Sequence, residues 1–225
     1  MKQFLFVLVY LMLCARSFAL DAPIAPPVLI QKAISSGLVN EGPSVASFTW
    51  HLEVKKPLKS ARRQVEVFSG AVGSLQPGLS VVRRARHEGA TEDSPAKIQE
   101  YFSARGLMNL RPDDEETDMQ LTGLTWPLKP QNEFQLRLKD EAGAIQQRCT
   151  IALASGAAQL HSNLKGNVVP IQCEGEGTYR GIKVQVQSSL WFIEQLGVFF
   201  NSEDVLKSPL GTFRATVKIV ELKLN

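Results

Sequence analysis

Apolar and polar residues alternate with a period of two in several stretches from Phe48 onward. Phe48, Trp50, Leu52 and Val54 alternate with Thr49, His51 and Glu53, the pattern of a half-buried strand. Gln64 to Phe68 and Leu79 to Arg84 are shorter runs of the same kind, separated by Gly70, Gly73, Pro77 and Gly78. Phe134, Leu136 and Leu138 alternate with polar neighbours, as do Cys149, Ile151 and Leu153. The Asp140-Glu141-Ala142-Gly143 turn makes these two runs a hairpin. Further strands are predicted over 168–173, 182–192, 198–200 and 212–224, punctuated by glycine. A helix is predicted over 94–105: Ser94 suits the N-cap, Pro95 the first helical position, and Gly106 the end. Ile98, Tyr101 and Phe102 fall on one helical face. Val28 to Ser36 carries one or two further helical turns, stopped by Gly37. The fold class is therefore mainly β: a twisted antiparallel sheet or incomplete barrel, with one short packed helix and one disulfide.

The amino terminus departs from this pattern. Lys2 precedes an apolar stretch from Phe4 to Leu13, and Ser17-Phe18-Ala19 supplies small residues where a signal peptidase reads. The stretch is too short to cross a bilayer, which takes about 20 residues. The expected division is a signal peptide over 1–19, an extension over 20–47, and one mainly-β domain over 48–225 with a sub-boundary near 111–119. The expected location is periplasmic or secreted, with no transmembrane segment in the mature chain.

Export changes the reading of the cysteines. Cys14 lies within the signal, and Leu13 stands where a lipoprotein signal needs a small residue. Cys149 and Cys173 remain, and an even count in an exported chain reads as a disulfide. Closing such a loop stabilises by roughly 3.5 kcal/mol in the chain-entropy picture. A redox pair is the alternative, but such pairs usually sit two residues apart.

Composition adds less. At 44% hydrophobic and 21% charged, the chain has enough apolar material for a core. Of the formal charge of +3, Lys2 and Arg16 leave with the signal. The remainder is near neutral, which predicts no general affinity for nucleic acid or anionic membrane.

The C-terminal half has an ordered series of short motifs. Trp126-Pro127-Leu128-Lys129 precedes a strand, and the two cysteines follow. Then come Trp191-Phe192, Leu196-Gly197, and Ser208-Pro209-Leu210-Gly211-Thr212-Phe213 before a terminal strand. Over residues 124 to 224 this order resembles the TapB-like and related secreted β-sheet proteins of proteobacteria. The resemblance implies an open or curled antiparallel sheet in the cell envelope, and it transfers no catalytic residues.

Candidate chemistry is sparse. Ser94-Pro95-Ala96-Lys97 has the Ser-x-x-Lys spacing of penicillin-binding enzymes, but no Lys-Thr-Gly follows, and an N-capping serine explains Ser94. His51, His87 and His161 lack metal-ligand spacing; His51 reads as a surface imidazole and His87-Glu88 as part of a loop. The acidic run from Asp113 to Asp118 lacks the spacing that wraps calcium and reads as a solvated loop. No catalytic residue, metal site or cofactor is assigned. Two basic clusters remain: Lys55, Lys56, Lys59, Arg62 and Arg63, then Arg83, Arg84 and Arg86. They read as solvated faces balanced by acidic residues, with an anionic glycan or lipid headgroup as the alternative partner. The apolar run over 190–200 has two readings, a strand buried on both faces or a docking patch formed by Trp191, Phe192, Leu196, Phe199 and Phe200.

The function expected is a non-enzymatic exported envelope protein that binds or scaffolds another component, whether protein, glycan or lipid. The rivals are a periplasmic inhibitor or immunity-type protein, and an envelope hydrolase or transferase with a site assembled from scattered residues.

Overall fold

The computed structural model describes residues 27–224 except 40, 72–76, 88, 90, 92, 94 and 111–117. The signal segment, Ser94 and most of the acidic run lie outside the described residues. The strands are β1 (Ser47–Lys55), β2 (Arg62–Ala71), β3 (Leu79–His87), β4 (Ala96–Ala104), β5 (Met108–Leu110), β6 (Asp118–Thr122) and β7 (Glu133–Asp140). They continue as β8 (Gly143–Ile151), β9 (Ser155–Gly156), β10 (Asn167–Tyr179), β11 (Ile182–Ile193), β12 (Val198–Ser208) and β13 (Gly211–Leu224). All join one antiparallel sheet in the order β5-β4-β3-β2-β1-β13-β12-β11-β10-β8-β7-β6, with β9 beside β10. The sheet is nearly closed into a barrel.

Among the described residues one α-helix, α1 (Pro27–Ser35), stands near the open seam. Proline suits a helix start, and Gly37 at φ 77° ends the run. The Ser36 carbonyl accepts a hydrogen bond from the Leu121 amide at 3.0 Å, which covers part of the β6 edge. Ala33, Leu38, Val39 and Val45 are buried, so the segment expected as an extension adds side chains to the core.

The predicted helix over 94–105 is instead strand β4. Its apolar spacing has a different cause. Tyr101 and Phe102 are neighbours in sequence but belong to separate hydrophobic clusters, one on each face of the sheet. A strand covered on both sides shows adjacent apolar residues, which imitate a helical face. Ile98, the third member of that supposed face, is 56% exposed. The pairs Val81 and Val82, Val168 and Val169, Phe192 and Ile193, and Phe199 and Phe200 divide between the two clusters in the same way.

Cys149 and Cys173 form a disulfide, directly opposed across β8 and β10 with alpha carbons 4.0 Å apart. Both are buried in the cluster that also contains Phe134, Ile151 and Ile171.

Arg105, in the turn between β4 and β5, is fully buried. Its guanidinium donates to the carbonyls of Leu38 (2.6 Å), Glu41 (2.5 Å), Pro43 (2.6 Å) and Gly197 (3.0 Å). Its Cζ lies 4.8 Å from the centre of the Trp126 ring. Burial lowers its pKa to about 10, so it remains charged near neutrality. The Arg105 carbonyl accepts from the Phe199 amide at 2.8 Å. One side chain thus fastens the segment after α1 and the β11–β12 turn to the β4–β5 turn.

Candidate functional site

Four strands set side chains in rungs on one face of the sheet. Phe48, Phe68, Val82 and Tyr101 are aligned across β1, β2, β3 and β4. The next rung is Trp50, Glu66, Arg84 and Gln99, and the one after it Leu52, Gln64, Arg86 and Lys97. Because strand side chains alternate, residues two apart share this face. The face therefore changes from apolar to charged toward the β1–β2 turn.

The middle rung is a buried polar network. The Trp50 indole donates to Glu66 Oε2 at 2.7 Å. Arg84 Nε donates to Glu66 Oε1 at 2.5 Å, and Gln64 Nε2 donates to the same oxygen at 2.8 Å. The Arg84 guanidinium also lies 4.7 Å from the centre of the Tyr101 ring. The next rung is joined to it, since Arg86 Nε donates to Gln64 Oε1 at 3.2 Å. Glu66 and Arg84 are 4% and 9% exposed, and a carboxylate so placed is tolerated because it is paired and hydrogen-bonded.

A cleft of about 330 Å³ opens above this network. Trp50, Leu52, Val54, Phe199, Phe200 and Val217 give it an apolar floor. Lys56, Lys59, Arg62, Arg63, Arg84 and Arg86 also line it, with His87. Among the described lining residues Glu66 is the one carboxylate, so the cleft is strongly cationic although the chain as a whole is not. The two basic clusters, well separated in sequence, converge here because β2 and β3 pair antiparallel. Arg83 is exposed and does not line the cleft, because its neighbours Arg84 and Val82 already occupy that face.

The other residues singled out in the sequence fall differently. Phe192, Leu196, Phe199 and Phe200 are 3%, 0%, 1% and 4% exposed, and Trp191 is partly buried. That run is core on both faces of the sheet, and only Phe199 and Phe200 reach the cleft. His51 is largely covered rather than a surface imidazole: its side chain is 12% exposed and its Nδ1 lies 3.7 Å from Glu221 Oε2. His87 ends β3 and is buried, where a loop position was expected. Among the described residues no group of acidic, histidine or cysteine side chains is placed to hold a metal ion, and no helix is long and apolar enough to cross a membrane. Sequence reasoning did not single out Glu66; its signal was its position in register with Trp50 and Arg84.

No protein-family model matches the chain, and no curated protein matches it. The TapB-like resemblance has no counterpart in these comparisons. Among solved structures the chain is similar to a Bacteroides fragilis protein with a YmcC-like fold, thought to be exported. The TM-score is 0.43 at 8% identity, over 82% of this chain and 99% of that one. A likeness of that size is one of outline and transfers no function.

Proposed function

We propose that this is an exported cell-envelope protein that binds an acidic envelope component without chemically altering it, through the cleft above Glu66 and Arg84. The observation that carries the reading is the meeting of two basic runs in one concave site with an apolar floor. Cations on the rim suit phosphate or carboxylate groups, and the apolar floor suits the carbon framework that bears them. A charged acidic glycan combines these properties. Glu66 supports binding over catalysis, because Trp50, Gln64 and Arg84 already engage its oxygens. Export is supported by the sequence from Lys2 to Ala19 and fits the buried Cys149–Cys173 bridge.

Titration with uronic-acid oligosaccharides and with neutral oligosaccharides of equal length tests the reading, followed by calorimetry and tryptophan fluorescence. Acidic chains should bind and neutral ones should not. Affinity should fall with added salt and drop at least tenfold in Arg62→Glu and Arg86→Glu, two exposed positions. Equal binding of both series, or none of either, rejects the proposal. Turnover of an oligosaccharide would reject its non-enzymatic part.

A further inference from the structure

The same end of the sheet carries two hairpins of related composition. The β1–β2 turn runs Lys55-Lys56-Pro57-Leu58-Lys59, and the β12–β13 turn runs Lys207-Ser208-Pro209-Leu210-Gly211. They are close in the sheet, because β1 and β13 pair directly. Each presents a leucine at its tip: Leu58 is 100% exposed and Leu210 is 72% exposed. Phe213, just inside the second tip, is 36% exposed. Residues 54–63 and 205–214 contain no aspartate or glutamate.

Both turns hold these side chains outward. The Lys59 amide donates to the Lys56 carbonyl at 3.3 Å, and Leu58 sits at φ 56°, a conformation unfavourable for leucine. The Ser208 hydroxyl accepts from the Leu210 amide at 3.1 Å and donates to the Gly211 carbonyl at 3.3 Å. A fully exposed leucine in a strained backbone gains nothing from the fold that carries it. Arg214 is engaged by Glu203 at 3.3 Å, so the cations at these tips are Lys55, Lys56, Lys59 and Lys207.

We propose that this end of the sheet docks on an anionic lipid bilayer, with Leu58 and Leu210 entering the interface and the four lysines over the headgroups. Charge complementarity selects this occupant: two lysine-bearing segments with apolar tips and no acid of their own match an apolar layer beneath negative headgroups, with Glu176 of β10 beside Lys207 as the neighbouring carboxylate. Neither leucine lines the cleft, so the leucine variants test docking apart from it, although Lys56 and Lys59 belong to both surfaces.

The test is flotation of the purified protein with vesicles of phosphatidylcholine alone, or with about one-quarter phosphatidylglycerol. The protein should float with the mixed vesicles and not with the neutral ones, less so as salt rises. Leu58→Asp and Leu210→Asp should each weaken binding about tenfold, from the lost burial of one leucine. Thermal melts of both variants check folding, so this result is separate from any oligosaccharide titration. Absence of binding to the mixed vesicles overturns the proposal, as does binding that both variants retain. A concentration-dependent dimer that Leu58→Asp abolishes, without flotation, assigns the surface to a second copy and also overturns it.

Discussion

Arg105 Nη1 donates to the Gly197 carbonyl at 3.0 Å, linking two turns 92 residues apart. Three more carbonyls surround the same guanidinium, and the planar fork reaches them all. A lysine keeps the charge but brings one ammonium to a site built for several donors. Arg105→Met leaves four carbonyls short of a donor. We expect each variant to lose about 3–5 kcal/mol in urea unfolding. A loss under about 1 kcal/mol shows that water satisfies these carbonyls equally well.

Glu66 and Arg84 form the second buried charged centre. Glu66→Gln leaves Arg84 without its carboxylate while keeping the side-chain shape. The expected loss is about 3 kcal/mol, with a change in Trp50 emission because its indole bonds to Glu66. In the double variant Glu66→Gln/Arg84→Met part of that loss should return, because no unpaired charge remains. Strictly additive losses refute the coupling.

The sequence made the sheet legible where one face is covered and the other wet, as in β7, because alternation then survives. It misled where both faces are covered. Tyr101 beside Phe102 looked helical, and the run from Leu190 to Phe200 offered a docking patch that the fold buries. The site was legible only as two separate basic runs. Their convergence depends on the β2–β3 register, and the role of Glu66 depends on facing both Trp50 and Arg84. Neither relation is local, so no spacing along the chain encodes it.

The close approach of β10 to β8 depends on two glycines of β10. A Cβ at Gly175 would lie 1.9 Å from the Gln146 carbonyl oxygen, and one at Gly177 2.1 Å from that of Ala144. Both obstacles are backbone, so a substitution must push strands apart. Gly175→Ala should cost about 2–3 kcal/mol of stability. Gly156→Ala is the control, since nothing lies within 4 Å of its Cβ position and its φ is −64°. Its expected effect is within about 0.5 kcal/mol in the same thermal melts. Equal melting of the two variants refutes this account of the close approach.

The disulfide invites the same kind of test. Cys149 and Cys173 face each other on strands already joined by backbone hydrogen bonds, so the bridge brings no new segments together in the folded state. Its contribution should therefore come through the unfolded chain, where it closes a loop between positions 24 apart. Both residues are at most 1% exposed, so mild reductant should reach the sulfurs only when the protein opens. Cys173→Ala should cost about 2–4 kcal/mol in denaturant unfolding, and the double variant Cys149→Ala/Cys173→Ala about the same, since either change opens the loop. The slope of unfolding should rise in both, because the unlinked chain exposes more surface on unfolding. Non-reducing peptide mapping of the oxidised protein should recover the two cysteines in one linked pair. Two free thiols in that sample, or a single variant as stable as the parent, would remove the bridge as a source of stability and leave the β8–β10 pairing to hydrogen bonds and packing alone.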